Sequence, residues 1–177
     1  MTQDNPVLER SYFERPVLEV ARGLLNCRLC RRTESGIIRW QIRETEAYDG
    51  PQDTACHAHK GRTRRTEVMF GEAGVWYVYF CYGIHWLLNV VTGPPGYPAA
   101  VLIRGAGELT GPARLTRILG IDGSMNGKSC SVASGLWIEE GSSMPEDLVE
   151  RTPRIGVDYA GPDWSQRPYR FLVRKKK

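Results

Sequence analysis

Glu44, Glu46 and Tyr48 fall at every second position of Arg43-Glu44-Thr45-Glu46-Ala47-Tyr48. Read as a strand, that spacing puts two carboxyl groups and a phenol on one face and Arg43, Thr45 and Ala47 on the other. Acids are costly to bury without partners or a task. A carboxylate so placed can serve as general base on water. The competing reading is a solvated edge strand with surface acids. His57 lies downstream in a basic stretch with Lys60, Arg62, Arg64 and Arg65 and no acid between His57 and Arg65. It joins such chemistry only if the fold carries it to Glu46 and Tyr48.

A second group surrounds Tyr82-Gly83-Ile84. Val75–Cys81 (V-W-Y-V-Y-F-C) and His85–Thr92 (H-W-L-L-N-V-V-T) flank it, both rich in aromatic and β-branched residues. A hairpin is expected. Alternation sets Tyr77, Tyr79 and Cys81 against Trp76, Val78 and Phe80. Tyr82 at the tip either folds back on the sheet or stands exposed, which beside a basic loop suits insertion between stacked bases. Asn89, within Leu87–Val91, is either a satisfied core amide or a selector lining a pocket. Arg104 ends Ala99–Arg104 and either emerges into water or holds a phosphate or carboxylate.

Other chemistries find little support. Neither a phosphate-binding glycine loop nor a nucleophile elbow is present. Only Lys60 and Lys128 lie outside the tail, both in polar loops, which disfavours an imine mechanism. Cys27 and Cys30 form one C-x-x-C. His57-x-His59 lacks a zinc-finger gap, and on a strand the two thiols face opposite ways, so no metal site is expected. The odd count of five cysteines suits reduced thiols.

The elements that must hold these residues read as follows. Met1–Arg15 is polar loop, with residues 1–12 flexible. Pro16 opens a helix through Leu25, and strands follow at Leu25–Arg32 and Ile37–Tyr48. Asp49–Arg65 is a long loop. After the hairpin and the 99–104 strand comes a helix over Gly111–Leu119, with Thr110 as its cap. Asp122–Ser134 is loop. Strands are expected at Leu136–Glu139, Arg154–Val157 and Arg170–Arg174, then a basic tail at 175–177. Strands outnumber helices, so the class is α+β with a mostly antiparallel sheet.

The 177 residues carry a formal charge of +4 and fit one domain over 1–177. No apolar run reaches the roughly 20 residues of a membrane span. No export signal is visible, so a cytoplasmic location is expected, at the nucleoid if the source is prokaryotic. Nineteen of the 24 basic residues are Arg, the better side chain for bidentate phosphate contact.

In their order and spacing these segments resemble the alkyladenine (3-methyladenine) DNA glycosylase family. The resemblance runs through E-T-E-A-Y (44–48), D-G-P-Q-D-T-A-C-H (49–57), V-M-F-G (68–71), W-Y-V-Y-F-C-Y-G (76–83), Asn89 and V-L-I-R (101–104). It continues through G-P-A-R-L (111–115), R-I-G-V (154–157) and P-Y-R-F-L-V-R (168–174). It implies one compact domain with a curved sheet flanked by helices and a protruding hairpin that enters DNA. It implies Glu46 as general base, with Arg104 near the reacting water and backbone. Tyr48, His57 and Tyr79 become the walls stacking on an extruded base, Asn89 the group crowding guanine's amino group, and Tyr82 the filler of the vacated stack. Arg62, Arg64 and Arg65 are read as DNA-backbone contacts. The implied partner is double-stranded DNA with a damaged purine, acted on by a monomer without cofactor, metal or membrane. The competing class is a non-catalytic nucleic-acid-binding module. At Asp49 and Gln52, and in R-T-R-R-T-E, the chain departs from the family's usual residues.

Overall fold

The computed structural model describes residues 5–174. Residues 1–4 and 175–177, including the basic tail, lie outside that range.

Among the described residues every β ladder is antiparallel. The strands are β1 (Arg28–Thr33), β2 (Gly36–Asp49), β3 (Trp76–Cys81), β4 (His85–Thr92), β5 (Ala99–Ala106), β6 (Leu109–Thr110), β7 (Leu136–Glu139), β8 (Val149–Thr152) and β9 (Arg170–Val173). They form one sheet in the order β3-β4-β5-β2-β1-β7, with β6 on β5, and with β9 joining β2 to β8. The long β2 is the spine. Its first half pairs with β1, and its second half lies between β5 and β9. The sheet curls as a half-barrel and the fold is α+β, as the strand-rich sequence predicts.

The four helices are short. α1 (Arg10–Phe13) and α2 (Val17–Gly23) precede the sheet, α3 (Pro112–Ile118) follows β6, and α4 (Gly161–Trp164) precedes β9. Pro16 caps α2, which buries Val17, Val20 and Ala21. The Thr45 hydroxyl donates to the Ala21 carbonyl at 2.8 Å and fastens α2 to β2. The helix-side core includes Trp76, Val78, Leu88, Val90, Val101, Ile103 and Ala47. Tyr77, Val91 and Ala100 form a second cluster with Cys56, Ala58 and Met69. The two faces of β3 therefore separate as alternation predicts.

Four local expectations are corrected. Residues 5–12 are not all free loop: Val7 bridges Glu139, Leu8 is buried, and α1 begins at Arg10. Thr110 does not cap α3. Gly111, at φ 94°, is the capping residue without a side-chain bond, and Pro112 sets the first turn. The 154–157 segment forms no strand, because Arg154 is drawn into the interior, and 149–152 pairs with β9 instead. The 49–65 loop contains two short 3-10 turns, Gly50–Gln52 and His57–Lys60.

Candidate active site

The registers of five strands put Tyr77, Asn89, Leu102, Glu46 and Arg170 in one row across β3, β4, β5, β2 and β9. Directly opposed residues share a face, so Asn89 and Glu46 lie on one face, two strand spacings or about 10 Å apart. Tyr48 follows Glu46 by two residues on that face.

Two compensating bulges adjust this row. Ile42 opposes Ala106, Glu44 opposes Gly105 and Thr45 opposes Ile103, which leaves Arg43 extra on β2 and Arg104 extra on β5. A bulge re-aims a side chain. Arg104 Nε donates to Glu44 Oε1 at 2.9 Å and lies 3.5 Å from Glu46 Oε1. Of the two readings left open for Arg104, carboxylate holding is the one the geometry fits.

Glu46 is fully enclosed, but its surroundings are polar. Oε1 accepts the Ile155 backbone N–H at 2.8 Å, and Oε2 accepts the Tyr48 hydroxyl at 2.8 Å. Burial raises its pKa above the usual carboxylate value, against the lowering pull of Arg104, the Ile155 N–H and the Tyr48 hydroxyl. A carboxylate has about four acceptor positions, so these contacts leave acceptor capacity for a water. Such a group, poised above its ordinary pKa, can take a proton from that water.

His57 does reach this neighbourhood. Its Nδ1 is 3.1 Å from the Tyr77 hydroxyl, and its ring meets Tyr79 edge-on at 4.5 Å. Burial, aided by Arg65, pushes its pKa down to about 4, which leaves the imidazole neutral at physiological pH. Tyr48 and Tyr79 both pack against the Tyr77 cluster. Asn89 is buried and donates to the Tyr77 carbonyl at 3.1 Å.

Tyr82 stands at the β3–β4 turn, 86 % exposed, with φ 52°. A bulky residue in the left-handed region is strained. Gly83 shares that region, and Ile84 N–H closes the turn on the Cys81 carbonyl at 3.1 Å. Arg62, Arg64 and Arg65 are exposed in their loop. Arg62 lies over the Phe70 ring and Arg65 over the Tyr79 ring.

Three residues of the cluster, Arg170, Asp53 and Arg154, were not singled out from sequence. Glu44 accepts from Arg170 Nε at 2.7 Å as well as from Arg104. Asp53 and Arg154, both fully enclosed, pair through Nη1–Oδ2 at 2.5 Å and Nη2–Oδ1 at 2.9 Å. Arg154 also donates to the Ala47 carbonyl at 2.8 Å and lies over Tyr48. Three carboxylates thus meet three guanidiniums. The available signal was their place inside the matched segments 49–57, 154–157 and 168–174.

Among the described residues, no group of three or more His, Cys, Asp or Glu could hold a metal ion. Cys27 and Cys30 are buried, with Cys27 in the helix-side core. A hollow of about 520 Å³ against residues 6–10 and 129–131 shares no side chain with the Glu46 cluster. No described helix is long and apolar enough to cross a membrane.

Comparison with known proteins bears on the whole chain. A family model described as methylpurine-DNA glycosylase (MPG) matches residues 11–110 and 106–177. A protein of Methanocella arvoryzae is 43% identical over 187 residues, covering 94% of this chain and 92% of its own. One of Myxococcus xanthus is 46% identical over 177 residues, covering 94% and 90%. One of Carboxydothermus hydrogenoformans is 42% identical over 190 residues, covering 97% of each. All three carry the name "Putative 3-methyladenine DNA glycosylase". The match extends through the strands, the loop and the hairpin that assemble the Glu46 cluster, and the chain belongs to the methylpurine-DNA glycosylase family.

Proposed function

We propose that the protein is a monofunctional DNA glycosylase that rotates an alkylated or deaminated purine out of duplex DNA and hydrolyses its N-glycosidic bond, starting base excision repair. The observation that carries this reading is the enclosed Glu46, hydrogen-bonded to Ile155 N–H and Tyr48 and facing the aromatic side of the sheet.

The base must leave its stack at a cost of a few kcal/mol. Tyr82, already exposed, offsets part of that cost by filling the gap. Arg62, Arg64 and Arg65 contact phosphates, which makes binding salt-dependent. Tyr48, Tyr79 and the neutral His57 stack on the extruded purine, and Asn89 crowds the exocyclic amine of guanine. Water bound at Glu46 adds its oxygen to the anomeric carbon while the bond to the purine nitrogen breaks. Glu46 takes the water's proton, and the purine leaves with the electron pair. Oxocarbenium character at the sugar is stabilised by the same carboxylate. Arg104 holds the two carboxylates in place. Water as nucleophile leaves an intact abasic site and no enzyme–DNA imine. One chain suffices, since every group named comes from it.

Chromatography of supernatants from duplexes carrying one hypoxanthine or one 7-methylguanine tests the reading. Free purine is the expected product; a protein that binds these duplexes and releases none is a binding module. Three further outcomes are expected. Tyr82→Ser weakens lesion-duplex binding and reduces the fluorescence rise of 2-aminopurine beside the lesion by severalfold; an unchanged rise removes Tyr82 from the stack. Asn89→Ser releases detectable undamaged guanine; unchanged discrimination makes Asn89 a core amide. Excision of a fixed-charge base rises with pH through the raised Glu46 pKa and then levels. His57, its pKa pushed down to about 4 by burial, adds no inflection of its own near 6.5. A profile flat from acid pH through neutral and above removes Glu46 from the base role.

A further inference from the structure

Two of the cluster's three tyrosines, Tyr48 and Tyr79, carry a cation on one ring face. Arg154 Cζ lies 4.8 Å from the Tyr48 ring centroid, and Arg65 Cζ lies 4.8 Å from that of Tyr79. The His57 ring lies edge-on to Tyr79 and hydrogen-bonds the Tyr77 hydroxyl. A cation on one face of an aromatic ring draws on the attraction that a second cation would seek at the other face, and the two cations repel through the ring. A neutral purine suffers no such repulsion.

Given that Tyr48, His57 and Tyr79 stack on the base, we propose that Arg154 and Arg65 are specificity-determining residues that weight the pocket toward purines neutral in the duplex and against purines of fixed positive charge. Bare tyrosines would favour the cationic base; these two are not bare. The same cations assist departure of a neutral purine. The water oxygen bonds to the anomeric carbon, its proton passes to Glu46, and the bond to N9 breaks. The electron pair left on the purine then lies against a positively backed wall.

Arg154 is the cleaner probe of the two. Its side chain is fully enclosed, so no phosphate reaches it; it pairs with Asp53, holds the Ala47 and Trp164 carbonyls and lies over the Tyr48 and Tyr169 rings. Asp53 keeps the charge stable in the interior, but the guanidinium is the group over the ring. Two unit charges about 8 Å apart interact appreciably at a protein-like dielectric, even after compensation by Asp53. A shift in selectivity of roughly fivefold is the expected scale.

The test is single-turnover release of hypoxanthine and of 7-methylguanine from duplexes of one sequence at saturating protein. In the double variant Asp53→Asn with Arg154→Gln, which keeps a hydrogen-bonded but neutral pair, the ratio of hypoxanthine to 7-methylguanine rates falls about fivefold. Arg154→Lys, which keeps the charge, holds the ratio within about twofold of the original. An unchanged ratio in the neutral pair overturns the proposal, since damage to the fold alone lowers both rates together. Should the neutral pair fail to fold, Arg65→Gln, at an exposed position, applies the same test to Tyr79, with the same fall expected and the same unchanged ratio overturning it. Unaltered protein that releases neither base overturns the glycosylase reading itself, and this inference with it. Protein that releases both, with ratios unmoved by substitution, overturns this inference alone.

Discussion

Glu46→Gln stops purine release while leaving lesion-duplex binding intact. The expected loss in single-turnover rate is about 10²–10⁴-fold, the range supplied by a positioned general base. Gln is nearly isosteric. Its carbonyl oxygen can still accept the Ile155 N–H, and the Tyr48 hydroxyl can rotate to accept from the amide instead of donating to Oε2. Arg104 keeps Glu44 at 2.9 Å. The fold therefore survives, and an unchanged melting temperature checks that it has. The amide cannot take a proton from water or stabilise positive charge at the sugar. Release within tenfold of the unaltered protein would mean that another group activates the water.

The second large effect is on stability. Arg154→Ala removes one partner of an ion pair in which both side chains are fully enclosed. Asp53 would keep the backbone N–H groups of Asp49 and Ala55, at 2.9 and 3.0 Å, but no countercharge. Breaking such a pair from one side costs about 3–5 kcal/mol, because an uncompensated charge stays buried. For a domain of this size each kcal/mol shifts the melting temperature by roughly 2–4 °C. The loss also frees the Ala47 carbonyl and one face of Tyr48. Adding Asp53→Asn recovers part of the stability by removing the stranded charge. Chemical denaturation of the two variants measures both. A single variant within 1 kcal/mol of the original would mean that water reaches Asp53 and screens it.

The same pair shows where sequence reading stops. Glu46 and Tyr48 were legible because alternation along one strand fixes which side chains share a face. The hairpin was legible because aromatic and β-branched runs met a Tyr-Gly turn; for Tyr82 the sequence left two readings open, and the exposed one is found. Arg154, within R-I-G-V, looked like a strand residue. Its partner lies 101 positions away, and no local pattern encodes such a contact. The aim of Arg104 was hidden for a related reason. It depends on two offsetting bulges between β2 and β5, whose register is set only when the strands meet. The N-terminal residues misled through composition. Met1–Arg15 is polar on average, yet Leu8 and Phe13 within it are buried. His57 was legible only as a conditional on Glu46 and Tyr48, and the loop sets its ring against Tyr77 and Tyr79.

The decisive measurement uses a duplex with one hypoxanthine in an end-labelled strand, incubated with the protein and resolved on a denaturing gel before and after hot alkali. The labelled strand should stay full length before alkali and break at the lesion afterwards, because water alone has replaced the base. Glu46→Gln should show no break under either condition. A strand cut before alkali, or an adduct trapped by borohydride, would mean that a side-chain amine and not a Glu46-activated water attacks the sugar. An intact strand after alkali with the unaltered protein would mean that it hydrolyses no such bond.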